Sequence, residues 1–183
     1  MKKSFFIGTY TKKSSQGVYK MTLDTESKSL KDLQLVAKLG NPTYVAKSNR
    51  NFLYTVDQKQ TDGGLAAIDL NHEPAEVVQH AVTPGNSPAY VSVDEKRQLV
   101  YSSNYHLATI TVYKIQADGT LQQTDVVPHT GKGPTPEQAD GAHVHFSDLT
   151  PDNRLVVCDL GTDEVYTYDV SDDGKLSEIA RYK

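Results

Sequence analysis

The sequence first narrows its own possibilities by what it lacks. It holds a single cysteine, Cys158, in 183 residues. No disulfide can form within the chain, which points to a reducing compartment and a cytoplasmic location. No apolar run approaches the length of a membrane span. The opening "MKKSFFIGTY" imitates a signal peptide, but its apolar run, Phe5 to Ile7, falls short of the roughly 7–15 residues such a leader needs. Lysine and arginine occur in no run longer than pairs such as Lys2–Lys3 and Lys12–Lys13, and the formal net charge is −4. Neither a membrane nor nucleic acid is therefore an expected partner. There is no glycine-rich phosphate loop, no G-x-S-x-G and no H-E-x-x-H. Nor does any stretch sustain a helical period.

What the chain has is repetition. "NPTYVAKSNRNFLYTVDQ" starts at Asn41, "SPAYVSVDEKRQLVYSSN" at Ser87 and "AHVHFSDLTPDNRLVVCDL" at Ala142. Each reads as a short strand, a polar turn and a second apolar strand. Arg50, Arg97 and Arg154 mark the turns at spacings of 47 and 57 residues. A third strand follows each time ("LAAIDL", "TITVYKI", "VYTYDV"). Asp-Gly turns in "QADGTL" and "SDDGKL" then lead to a fourth. "FFIGTY", "GVYKM" and "LQLVAK" supply the last three strands of an earlier unit that lacks its first. Four strands per unit at roughly 40–50 residues is the mark of β-propeller blades. A β-sandwich has similar strands but no reason to repeat at this period.

The expected fold is therefore all-β, with four-stranded antiparallel blades in units 4–38, 41–82, 86–127 and 141–183. That is about three and a half blades, where a closed ring takes about four to eight. The reading is of the N-terminal part of a longer ring, or of a chain that self-associates through unpaired blade faces.

The longest insertion, Thr124 to Gly141, is rich in proline and glycine and delivers the chain to His143 and His145. Long loops on a rigid scaffold are where function concentrates. On a strand, residues i and i+2 share a face. His143 and His145 are thus expected on one face, with Tyr44, Tyr90 and His143 at equivalent positions around the channel. His143 would then lie nearer the mouth, with His145 about 6–7 Å deeper. His72, His80, His106 and His129 read as loop residues. An H-x-H pair could hold a metal with Asp57, Asp140 or Asp159, but the scheme below requires none. "DVSDDGKLSEIA" imitates a calcium loop, yet its twelfth position is Ala180 rather than glutamate, so it reads as a hairpin turn.

"GTYT" at Gly8, "QGVY" at Gln16, "NPTYVA" at Asn41, "LYTVDQ" at Leu53, "SNY" at Ser103, "HVH" at His143 and "CDLGTDEVYTY" at Cys158 occur in that order. Together they resemble the 6-phosphogluconolactonase family of seven-bladed propeller lactonases, over about the first half of a member. The resemblance implies an active site at the channel mouth and no cofactor. It places the family's H-x-H on His143 and His145, the asparagine of its "ANY" motif on Asn104 and the aspartate of "ADLG" on Asp159. Gln58 stands where the family usually has glutamate, with Asp57 before it, and Glu137–Gln138 replaces an Arg-Gln pair. His106, Leu107 and Ala108 replace a Gly-Ser-Gly. These departures bear most on a phosphorylated substrate, because a dianion needs Arg or Lys clamps, which could lie in the half of a member beyond this resemblance.

The resulting expectation, which rests on the resemblance, is a lactonase-type hydrolase that opens a sugar lactone such as 6-phosphogluconolactone by His-assisted water attack, as the N-terminal part of a longer protein. His143 would be the base, His145 or Asp159 would orient it, and Tyr44, Tyr90, Asn104, Asp57 and Gln138 would contact substrate. A neutral imidazole is suited to take a proton from attacking water. The other class considered is a non-catalytic binding or scaffold propeller, since fold does not fix function.

Overall fold

The computed structural model describes residues 1–183. Its strands form four antiparallel sheets, each in simple sequential order. The first blade holds β1 (Lys2–Ile7), β2 (Gly17–Asp24) and β3 (Ser29–Lys38). The second holds β4 (Val45–Lys47), β5 (Phe52–Lys59), β6 (Asp62–Asp69) and β7 (Glu76–Pro84). The third holds β8 (Tyr90–Asp94), β9 (Leu99–Asn104), β10 (Thr109–Ile115) and β11 (Leu121–Pro128). The fourth holds β12 (Val144–Leu149), β13 (Leu155–Asp159), β14 (Glu164–Val170) and β15 (Leu176–Tyr182). The propeller architecture read from the repeats is the one observed. The inserted loop is shorter than its composition suggested, because Thr124–Pro128 completes β11. A single 3-10 turn, Pro136–Gln138, lies within it. No helix is long and apolar enough to cross a membrane.

The middle strands read as nearly continuous apolar runs because both their faces are covered. On β5, Phe52 and Tyr54 face the third blade, packing with Val91, Val100 and Leu121. Leu53, between them, faces the first blade with Val18 and Leu39. On β9, Leu99 and Tyr101 point to the fourth blade, against Val144, Leu155 and Val157. Each cluster thus lies between two successive blades rather than inside one. Burial of each such aliphatic side chain stabilises by roughly 1.5–3 kcal/mol.

The repeated arginines explain themselves in this frame. Arg50 of the second blade donates through Nη1 to the Gln116 carbonyl of the third at 3.1 Å. Arg97 of the third blade donates through Nη2 to the Asn153 carbonyl of the fourth at 3.0 Å, while its Nη1 pairs with buried Asp94 at 2.8 Å. Each arginine fastens its blade to the next. Arg154, in the last blade present, meets only Asp152 and Asp169 of its own sheet. Apolar side chains stay exposed at both ends of the array: Leu30 and Leu33 on β3, and Val165, Ile179 and Tyr182 in the fourth blade. β1 keeps a free edge.

The Asp-Gly hairpins form as the sequence indicates. Gly119 turns the chain between β10 and β11 with φ +82°. A methyl group there would sit 2.1 Å from the Phe52 ring. Gly119→Ala combines backbone strain with a clash in the seam between blades. It is expected to cost at least about 1 kcal/mol of stability, read from the denaturant midpoint.

Candidate functional site

The loops that precede each innermost strand and those that follow each second strand gather at one end of the channel. They enclose an open cavity of about 710 Å³. Its wall is built from Lys12, Asn41, Gln58, Asn86, Tyr105 and His145, with His106 at the rim. A groove of about 780 Å³ lies elsewhere, beside the free edge of β1, lined by packing residues such as Phe5, Phe6, Leu35 and Leu53. Its polar side chains, among them Lys20, Lys47, His72 and Glu73, are interspersed with those packing residues.

The two histidines do not share a face. β12 pairs with β13 through Val144↔Asp159 and then Phe146↔Cys158, so His145 is the extra residue of a β-bulge. A bulge re-aims the side chains on either side of it. Counted from Tyr54, Tyr101 and Val156, which hold the same place on successive second strands, the register sets Phe146 level with Tyr44 and Tyr90. His143 lies three residues earlier, before the bulge. The equivalence of Tyr44, Tyr90 and His143 expected from strict alternation is therefore corrected.

His143 is buried at 9 % exposure, and its ring is fully engaged. Nδ1 lies 3.0 Å from the Tyr105 carbonyl and Nε2 3.0 Å from Asp140 Oδ1. Both of these oxygens can only accept, so both ring nitrogens carry protons in this arrangement. The Asp140 carboxylate raises the His143 pKa above its ordinary value, against burial, with help from the Tyr105 carbonyl. The ring also stacks on Tyr105, centroids 4.1 Å apart and planes 6° apart. A ring bonded at both nitrogens and stacked on Tyr105 presents no free nitrogen to the cavity, so the geometry differs from the accessible position expected for His143.

His145 is exposed and makes no hydrogen bond. It meets Tyr105 edge-on at 6.1 Å. His106 meets the same phenol edge-on at 5.1 Å. Three imidazoles thus surround Tyr105.

Asp159 does not orient an imidazole at the mouth. Its Oδ1 accepts the backbone N–H groups of His143, Gly161 and Thr162 at 2.8, 2.9 and 3.1 Å. Its Oδ2 lies 2.7 Å from His129 Nδ1, and His129 Nε2 lies 2.9 Å from the Tyr168 hydroxyl. Burial pushes the Asp159 pKa up, but His129 and the backbone donors outweigh it and hold it below the usual carboxylate range. The Asp159–His129–Tyr168 chain is sealed from solvent, with side-chain exposures of 0 % and 1 % for the first two. His129 is thus a loop residue as expected, just past the end of β11, but a buried one bonded at both ring nitrogens; His80, expected in a loop, lies on β7 instead. Gly161 has no room for a side chain, since a Cβ would lie 1.9 Å from the Gly141 carbonyl. The turn after β13 is therefore pressed against the chain that enters β12.

The other expected contacts are also largely spent on structure. Asn104 Nδ2 donates to the Asn86 carbonyl at 2.7 Å, and its Oδ1 accepts the Leu107 N–H at 3.0 Å. Gln138 Nε2 donates to the Leu160 carbonyl at 2.8 Å. Asp57 is buried, with Oδ2 2.6 Å from His80 Nδ1 on β7 and Oδ1 without a partner. Its neighbour Gln58 takes the place in the cavity wall. Tyr44 and Tyr90 line the channel wall instead, 4.3 Å apart, with Phe146 continuing the row at 4.7 Å. The Tyr90 hydroxyl donates to Asp148 at 3.2 Å, and burial raises its pKa. No three His, Cys, Asp or Glu side chains are grouped to hold a metal ion. Lys12, Asn86 and Tyr105 belong to the cavity but carry no role in the sequence reading. Only the neighbouring "GTYT" and "SNY" motifs pointed near them.

The model of the family described as "Lactonase, 7-bladed beta-propeller" matches residues 4–183. The chain belongs to this family. A protein of known structure from Lactobacillus plantarum is 54% identical, with a TM-score of 0.95, over 100% of this chain and 53% of its own. A 6-phosphogluconolactonase of Bacillus subtilis is 44% identical over 178 residues, which are 94% of this chain and 50% of that protein. The periplasmic gluconolactonase of Pseudomonas aeruginosa is 25% identical, with a TM-score of 0.81, over 92% and 50% of the two chains. The chain spans about half the length of the curated relatives it matches.

The Asp140–His143 contact generates a pH prediction. The raised folded pKa means that this contribution to stability is complete below the unfolded value of about 6.5 and is lost as pH rises through the folded pKa. In Asp140→Asn the His143 titration, followed by NMR, should move down. The accompanying pH dependence of the unfolding midpoint should shrink. Asp140 is 73 % exposed, so the effect on stability is small.

Proposed function

We propose that the chain contributes the mouth of a lactone-opening propeller in which His145 is the general base. The observation that carries this reading is the division between the two histidines. The His143 ring is bonded at both nitrogens, while the His145 ring stands unbonded in the cavity. In this reaction water attacks the ester carbonyl carbon and gives its proton to His145. The carbonyl electrons move onto oxygen, and the Asn86 amide and Tyr105 hydroxyl are the wall groups suited to stabilise that oxyanion. Collapse re-forms the carbonyl and breaks the ring C–O bond. The leaving alkoxide then takes the proton back from His145, giving a hydroxy acid. His143 and Asp140 fix Tyr105 and the start of β12, and no metal takes part.

The relatives named for 6-phosphogluconolactone and for gluconolactone support a sugar lactone as the substrate class. A cytoplasmic site of action belongs to the same reading and is supported by the lone thiol at Cys158.

The test is turnover of a sugar lactone by the complete protein. His145→Ala is expected to lower kcat by roughly 10²–10⁴-fold with the fold retained by circular dichroism. His143→Ala is expected chiefly to lower the melting temperature. Wild-type turnover in His145→Ala would overturn the assignment and favour a propeller that binds without catalysis. Residues 1–183 prepared alone, with apolar side chains exposed at both ends of the array, are expected to self-associate by light scattering.

A further inference from the structure

The mouth cavity has an unusual charge. The chain as a whole is acidic, with 23 Asp and Glu against 19 Lys and Arg. Yet no carboxylate lines this cavity, while one lysine and two histidines do. The lysine is Lys12, from the loop between β1 and β2, and it forms no ion pair. Most lysines of the chain are likewise unpaired, Lys31 and Lys175 being the exceptions, so what sets Lys12 apart is its place in the cavity wall. Its neighbour Lys13 does not line the mouth; it lies on an adjoining open surface that Tyr10 and Lys12 also border.

The loop that carries Lys12 is fastened down. Thr11 N–H donates to Asn41 Oδ1 at 2.9 Å, and Asn41 N–H donates back to Thr11 Oγ1 at 3.1 Å. Asn41 Nδ2 then donates to Gln58 Oε1 at 2.6 Å, tying the loop to the second blade. Thr9 N–H donates to the Pro42 carbonyl at 2.9 Å, and Thr9 Oγ1 to the Gly17 carbonyl at 2.6 Å. The Lys12 ammonium rests 5.2 Å from the centre of the Tyr10 ring. A cation–π contact of this kind restrains the side chain without neutralising it. The result is a pre-positioned positive charge on a carboxylate-free wall, sharing a cavity with His145.

We infer that Lys12 is a specificity-determining residue that selects lactones bearing an anionic group, a phosphate or a carboxylate, over uncharged ones. The inference rests on the lactonase reading of the site. Lys12 would hold the anion as a point charge while His145 meets the lactone carbonyl. One of the cations that a phosphorylated lactone needs would thus come from the first blade.

The experiment compares wild type, Lys12→Met and Lys13→Met of the complete protein on a phosphorylated and an uncharged sugar lactone. The ratio of kcat/KM for the phosphorylated over the uncharged substrate is expected to fall roughly 10–100-fold in Lys12→Met, the scale of one charge-assisted hydrogen bond. It should hold at the wild-type value in Lys13→Met. An unchanged ratio in Lys12→Met overturns the inference and leaves the lactonase reading intact. If wild type opens neither lactone, the lactonase reading fails, and binding of inorganic phosphate decides the Lys12 site. Phosphate-induced shifts of the Tyr105 and His145 resonances that vanish in Lys12→Met and weaken with added salt support an anion site. Shifts that persist in that variant, or no shifts in wild type, overturn it.

Discussion

A blade of this protein cannot bury itself, and every other feature follows from that. The side chains of β5 alternate between the first and third blades, and those of β9 between the second and fourth. The core is a series of seams between sheets. The seams between the second and third and between the third and fourth blades are closed by aromatics and aliphatics in the middle and by an arginine at the rim, while the seam between the first and second has an aliphatic core. Stability in such an array is close to a sum over neighbouring pairs. The positions of the mouth loops depend on those seams, because the loops of different blades meet only where stacked sheets bring them together.

The site is built by spending most of its polar groups on shape. Asp159 illustrates this. A buried carboxylate that accepts three backbone N–H groups and an imidazole has no capacity left for substrate. What it gives instead is a fixed path for the chain from Gly141 to Val144 and for the turn from Gly161 to Thr162. His143 extends the same role outward, clamping Tyr105 by stacking and by its carbonyl. His145 is free because its neighbours are held. A bulge opposite Asp159 turns one imidazole into the wall and leaves the next in the cavity.

The legibility of the sequence divides along the same line. Period, strand order and Asp-Gly turns are local, and they show in spacing and composition. "NFLYTV" and "QLVYSS" announce strands covered on both faces before any partner is known. The bulge at His145 is invisible to an argument from strict alternation, since nothing in "AHVHFS" marks where the period breaks. His129 was passed over for a related reason. Its partners Asp159 and Tyr168 are 30 and 39 residues away and meet it only across a seam. Motif resemblance located the mouth correctly, because the H-x-H, "SNY" and "GTYT" segments do converge there. It could not say which members face the cavity, since motifs record residues needed for shape as well as for chemistry.

The first blade shows how far that convergence reaches. It has three strands and lacks the innermost position from which the other blades line the channel. Its contribution to the mouth comes instead from the loop between β1 and β2. The mutual hydrogen bonds of Thr11 and Asn41 carry that loop across to the second blade. Asn41 holds φ +45°, a backbone region asparagine tolerates better than most residues. One residue in the left-handed region, two backbone-to-side-chain bonds and one amide pair hold the loop that brings Tyr10 and Lys12 from the edge of the array into a cavity otherwise walled by the second, third and fourth blades. The charge of the mouth is thus set by a blade that contributes no strand to the channel.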